Sequence, residues 1–140
     1  MPVKVSIVED LDEVREGLAD LVRSDKELLL LDNFEDAESA AEKLPSLQPD
    51  IVIMDINLPG MSGIDCIKKI KEKCPTTQFM MFTVYENDEK VLQALQAGAT
   101  GYLLKRTNPE RILESIKELN QGGSPMSSNI ARKLVNIFLD

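Results

Sequence analysis

Short apolar runs alternate along the chain with segments whose apolar residues recur every three or four positions. Runs of the first kind have the length and the Val, Ile and Phe content of buried strands, and the second have the period of helices with one buried stripe. Strands are predicted over Val3 to Val8, Leu28 to Phe34, Ile51 to Met54, Phe79 to Thr83 and Gly101 to Leu104, the third and fourth being central. Between them lie three stripes: Val14, Leu18, Leu21 and Val22; Ala37, Ala40, Ala41 and Leu44; then Ile64, Ile67 and Ile70. Val91, Leu92 and Leu95 mark a fourth helix ended by Gly98, and Asn108 with Pro109 forms an N-cap and first-turn pair for a fifth, buried through Ile112, Leu113, Ile116 and Leu119. Five strand-helix units in series predict a doubly wound parallel sheet covered on both faces, one domain over residues 1 to 120.

After Asn120 the pattern changes. Gln121 to Pro125 form a breaker, and Ser128 to Leu139 has helical period, so residues 121 to 140 read as a linker and an extra amphipathic helix. Ile130, Leu134, Ile137 and Phe138 could pack back on the domain or face a partner or a following domain; the pattern leaves both readings open. No internal repeat or low-complexity tract interrupts the chain.

Composition narrows the chemistry. With 140 residues, 43% of them hydrophobic, the chain can bury one core. A formal charge of -8 argues against gripping nucleic acid through these residues alone. No apolar run nears the roughly 18 to 20 residues of a membrane span, and Met1 to Lys4 lack a signal-peptide stretch, so no membrane contact and a cytoplasmic location are expected. Cys66 and Cys74 are spaced neither as a redox pair nor as half a zinc site and read as reduced thiols. The chain has no His, which leaves carboxylates, Lys, hydroxyls and thiols to act.

Ligands of open α/β sheets bind beyond the carboxyl ends of the strands. At those ends stand Glu9 and Asp10 after the first strand, Asp55 after the third, Thr83 at the fourth and Lys105 after the fifth. In the strand order 2-1-3-4-5 the three carboxylates meet at the switch point. Like charges about 5 Å apart repel by roughly 3 kcal/mol per pair at an effective dielectric near 20, so the cluster calls for positive charge. Lys105 supplies one, and a hard cation with oxygen ligands, Mg²⁺ for preference or Mn²⁺, would supply more. Taken singly, each residue has an ordinary role: a solvated strand-end acid, Thr83 as a β-former, Tyr102 as a partly buried aromatic.

The blocks carrying this chemistry are Glu9–Asp10 after an apolar strand, DINLPGMSG from Asp55 to Gly63, Thr83 after FMMF, and GYLLK from Gly101 to Lys105. In this order and spacing they resemble the receiver domains of two-component response regulators, over Val3 to about Asn120. GYLLK and the trailing helix look most like the subfamily with a LuxR-type helix-turn-helix output domain, which lies outside this chain. The resemblance implies a flavodoxin-like (βα)5 doubly wound sheet of order 2-1-3-4-5 with a C-terminal linker helix. It also implies that Asp55 accepts a phosphoryl group from a sensor histidine kinase and catalyses its own phosphorylation and dephosphorylation with Mg²⁺ or Mn²⁺. Asp10, Asp55 and the Asn57 backbone carbonyl would hold the metal, with Glu9 acting through water. Lys105 and Thr83 would contact phosphoryl oxygens, and Thr83 with Tyr102 would switch a surface controlling homodimer formation, DNA being reached only through the output domain. Glu9 departs from the Asp common at its position, leaving direct or water-mediated metal contact open. Arg106 stands where a cis-Pro is frequent, and Val84 is bulkier than usual and stands to restrict access to the pocket. Two other classes fit parts of the pattern: a haloacid-dehalogenase-like phosphatase, against which Asn57 argues because that chemistry needs an acid there, and a receiver-like module that binds partners without phosphorylation.

Overall fold

A computed structural model describes residues 1–140. Along the chain run β1 (Val3–Val8), α1 (Asp12–Arg23), β2 (Leu28–Phe34), α2 (Ala37–Leu47), β3 (Ile51–Met54) and α3 (Gly63–Ile70), followed by a 3-10 turn over Lys71–Lys73. Then come β4 (Gln78–Thr83), α4 (Asp88–Ala97), β5 (Ala99–Leu104), α5 (Pro109–Asn120) and α6 (Ser128–Leu139). The strands form one parallel sheet in the order β2-β1-β3-β4-β5, the doubly wound, flavodoxin-like arrangement expected from the sequence, with an added C-terminal helix.

Side-chain alternation along the strands divides the core into two layers. Val5, Ile7, Ile51, Ile53, Met80, Phe82 and Leu103 meet α1 and α5 on one face. Val8, Val52, Met54, Phe79, Met81, Tyr102 and Leu104 meet α2, α3 and α4 on the other. Because the central strand β3 is buried on both sides, all four of its residues are apolar. Local chemistry starts the helices where the sequence places them: the side chains of Asp36, Ser62 and Asn108 accept from the backbone N–H of Ser39, Asp65 and Arg111.

Two boundaries differ from the sequence reading. β4 begins one residue earlier, at Gln78, and β5 begins at Ala99, because Gly98 (φ 126°) ends α4 and turns the chain directly into the sheet. The register then skips Thr100, which forms a bulge and donates its hydroxyl to Gln78 at 2.7 Å. The buried faces are also shifted on two helices. In α1 the buried set is Arg15, Leu18, Ala19 and Val22, with Val14 and Leu21 at its flank; in α4 it is Val91, Ala94 and Ala97, with Leu92 and Leu95 half-buried.

The C-terminal segment returns to the sheet. Tyr102 donates its N–H to the Pro125 carbonyl at 2.9 Å and accepts from the N–H of Ser127 at 3.1 Å, a single parallel bridge centred on Met126. The Ser127 hydroxyl also accepts from the Leu104 N–H at 3.1 Å. α6 follows with Ile130 fully buried and Leu134 packed on the α2–α3–α4 layer, while Lys133 reaches Asp88 at 3.4 Å. Val135, Phe138 and Leu139 remain exposed. The helix therefore packs back on the domain through Ile130 and leaves an apolar outer rim exposed. No helix is long and apolar enough to cross a membrane.

Candidate functional site

β1 and β3 are neighbours in register, Val8 opposite Met54, so the residues that follow each strand emerge together. Glu9 is the first residue past β1, its N–H still donating to the Phe34 carbonyl at 3.0 Å, and its side chain is buried. Asp55 follows β3 with its N–H bonded to Val8, and it too is buried. Carboxylate oxygens of Glu9, Asp10 and Asp55 lie within 4.8 Å of one another, Asp10 being the partly exposed member.

Lys105, arriving from β5, inserts its ammonium between two of them. Nζ is 2.7 Å from Glu9 Oε1 and donates to Asp55 Oδ2 at 3.1 Å. The Glu9 contact is a close ion pair off the line of a good hydrogen bond, so Oε1 remains without an aligned donor while Oε2 accepts from the Leu11 N–H at 3.1 Å. Burial raises the Glu9 pKa above its ordinary 4.5, opposed by the Lys105 contact and the Leu11 hydrogen bond. For Lys105 burial disfavours the charge, but the contacts with Glu9 and Asp55 outweigh it and its pKa is raised. The second oxygen of Asp55, Oδ1, accepts from the Ile56 N–H at 2.8 Å, which fixes the carboxylate with Oδ2 toward Lys105.

The loop after Asp55 is folded tightly over it. Gly63 donates to the Ile56 carbonyl at 2.9 Å, Gly60 adopts φ 75°, and the Met61 N–H donates to Glu38 at 2.8 Å. Asn57 is exposed, and its carbonyl accepts no hydrogen bond from the chain. The donor set is thus all oxygen: three converging carboxylates, two of them sharing the single ammonium of Lys105, and a free carbonyl two residues past Asp55. That set suits a hard divalent cation.

Thr83 is fully buried, and its hydroxyl accepts from the Tyr85 N–H at 3.4 Å. Tyr102 is fully buried rather than half-buried, and its hydroxyl donates to the Tyr85 carbonyl at 2.9 Å. Thr83 and Tyr102 grip the two backbone faces of one residue. Val84 is 67% exposed and points away from the core. No peptide bond is cis, as Arg106 after Lys105 led us to expect. Cys66 and Cys74 are free and buried, the Cys66 thiol pushed up to about 12 by burial.

Sequence reasoning missed Arg15. It sits on the buried face of α1 and donates from Nη1 to the Glu9 carbonyl at 2.9 Å and the Asp10 carbonyl at 3.4 Å. Its only signal was its place between Val14 and Leu18 on the apolar stripe. Gly63 was legible as part of a motif, but not the reason for it: a Cβ there would overlap the Asp55 carbonyl.

Comparison with known proteins finds the family model described as response regulator receiver domain over residues 5–117. The transcriptional regulatory protein LnrK of Bacillus subtilis is 33% identical over 134 residues, 96% of this chain and 61% of LnrK. The nitrate/nitrite response regulator NarL of Escherichia coli is 30% identical over 126 residues, 90% of this chain and 58% of NarL. A crystal structure of a LuxR-family two-component response regulator from Aurantimonas sp. SI85-9A1 superimposes with a TM-score of 0.92 at 28% identity, covering 100% of both chains. The chain therefore spans about three fifths of the length of these curated relatives.

Proposed function

The chain belongs to the response regulator receiver domain family, with relatives of the LuxR/NarL type, and from that premise we propose that Asp55 is a phosphoacceptor read out through Thr83 and Tyr102. The observation that carries this is the placement of Asp55. One carboxylate oxygen is locked by a backbone N–H and the other is aimed at Lys105, with Glu9 and Asp10 alongside.

Asp55 Oδ2 attacks the phosphorus of a phosphohistidine on a sensor histidine kinase; the new O–P bond forms as the P–N bond breaks, and the imidazole leaves with the electron pair. A divalent cation, Mg²⁺ or Mn²⁺, held by Asp10, Asp55 and the Asn57 carbonyl with Glu9 beside it, would supply charge neutralisation for the phosphoryl oxygens. Lys105 exchanges its Asp55 contact for one phosphoryl oxygen, and Glu9, paired with it from below, keeps the ammonium in place. Thr83 turns its hydroxyl from the Tyr85 N–H toward another phosphoryl oxygen. Tyr85 then loses one of its two holds, and the change passes to Tyr102 and the surface of α4, β5 and α5, on which homodimer formation depends. Residues 1 to 120 act as the receiver and 121 to 140 as the connection to an output domain through which DNA is reached, in a cytoplasmic protein.

A phosphatase of the haloacid-dehalogenase type is disfavoured by Asn57, an exposed amide that cannot protonate a leaving group. Incubation with a small acyl phosphate donor and Mg²⁺, followed by intact mass, tests the proposal. One stable, hydroxylamine-sensitive phosphoryl group is expected on the native chain and none on Asp55→Asn. Rapid turnover without a phosphorylated species would indicate a phosphatase, and no change a phosphorylation-independent binding module. An Asp55→Asn chain phosphorylated at the native rate would place the acceptor elsewhere.

A further inference from the structure

The chain must leave the sheet immediately after Glu9 and enter α1 at Asp12, and in that short passage two carbonyls lose their sheet partners. No backbone N–H reaches the carbonyl of Glu9 or of Asp10. A carbonyl in such a place needs a donor, because an unpaired one would be free to rotate toward water and carry its side chain with it. Arg15 supplies both bonds from one nitrogen, 2.9 Å to Glu9 and 3.4 Å to Asp10, while Nη2 pairs with the carboxylate of Asp12. Its side chain is only 10% exposed, unusual for an arginine on the first turns of a helix, and Asp12 at the other end of the pair is 81% exposed.

We propose that Arg15 is a positioning residue for the cation site: by clamping the Glu9 and Asp10 carbonyls it fixes the direction in which the acidic pair presents its carboxylates to Asp55. Fork geometry matters here. The guanidinium directs one nitrogen at two adjacent carbonyls while a second holds Asp12, which a lysine ammonium on a shorter reach cannot reproduce. The guanidinium also holds a fixed positive charge against the backbone of two of the three acidic residues. This inference rests on the reading of Glu9, Asp10 and Asp55 as a divalent-cation site.

Calorimetric titration with Mg²⁺, below the unfolding temperature of the least stable variant, separates positioning from general stability. The native chain is compared with Arg15→Lys, Arg15→Met and Leu18→Ala, the last a buried α1 residue away from the carboxylates. Arg15→Met is expected to weaken Mg²⁺ affinity about tenfold or more, the range typical when a group orienting metal ligands is removed. Arg15→Lys should fall between it and the native chain, and Leu18→Ala should lower the melting temperature with native affinity. If Arg15→Met does not fold, Arg15→Lys carries the comparison. Native affinity in the Arg15 variants, or an equal loss in Leu18→Ala, overturns the positioning role. A native chain that binds no Mg²⁺ overturns instead the cation reading beneath it.

Discussion

At Gly63 the chain passes so close to the Asp55 carbonyl that any side chain would collide with backbone, which cannot move without moving the acceptor itself. Gly63→Ala is therefore expected to destabilise the fold by about 1 to 3 kcal/mol, the usual cost of forced overpacking, and to lower phosphoryl acceptance as well. Denaturant unfolding and intact mass on the same sample check both effects; a stable Gly63→Ala chain with native acceptance would show that the loop yields. The contrast with Arg15 is instructive about legibility. Strand-end groups such as Glu9, Asp10, Asp55 and Lys105 could be placed from sequence because the strand pattern assigns them to one rim. Arg15 could not, because its partners are backbone carbonyls, which leave no mark in a sequence. Tyr102 falls between: its position on β5 was readable, but its burial depends on the C-terminal segment that lies beside it.

At the scale of elements, α5 is tied across the fold to the turn between α1 and β2. Lys117 Nζ lies 2.8 Å from Asp25 and 2.7 Å from Glu27. The Lys117 hydrogen bond and the Glu27 N–H hold the Asp25 pKa below its ordinary 3.8, and the bonds to Asp25 and Glu27 raise that of Lys117 above 10.5. A carboxyl with a depressed folded pKa stabilises above its unfolded value and loses that contribution as pH falls through the folded one. A lysine with a raised pKa stabilises fully below its unfolded value and loses the contribution as pH rises through the folded one. Lys117→Met should thus cost stability evenly across the neutral range, and its deficit relative to the native chain should shrink below about pH 3.8 and above about pH 10.5. Urea midpoints measured across pH decide it, and a deficit that does not change with pH would assign the loss to packing. The boundaries of these elements were readable to within two residues because the caps at Asn108 and Gly98 are chemical signals. The bulge at Thr100 was not, since a one-residue slip between neighbouring strands is decided by packing of both.

Over the whole molecule, the outer edge of β5 is the place where the receiver could meet another strand, and here residues 125–127 occupy it. Ending the chain after Ser124 would leave the Tyr102 N–H and carbonyl unpaired on an open edge and uncover the layer beneath Ile130. Sedimentation of that truncated chain should reveal concentration-dependent association absent from the full one, with phosphoryl acceptance retained, because unpaired edges recruit other edges. A truncated chain that stays monomeric throughout would show that the edge is protected by other means. The same bridge sets the kinematics of what it carries. α6, twelve residues long and so about 18 Å from end to end, starts two residues past Met126 and is clasped by the α2–α3–α4 layer through Ile130 and Leu134, so bridge and layer carry it as one body. A displacement at Tyr102 would then reach Phe138 and Leu139, the exposed apolar end of the helix, only by moving the layer that holds Ile130 along with it.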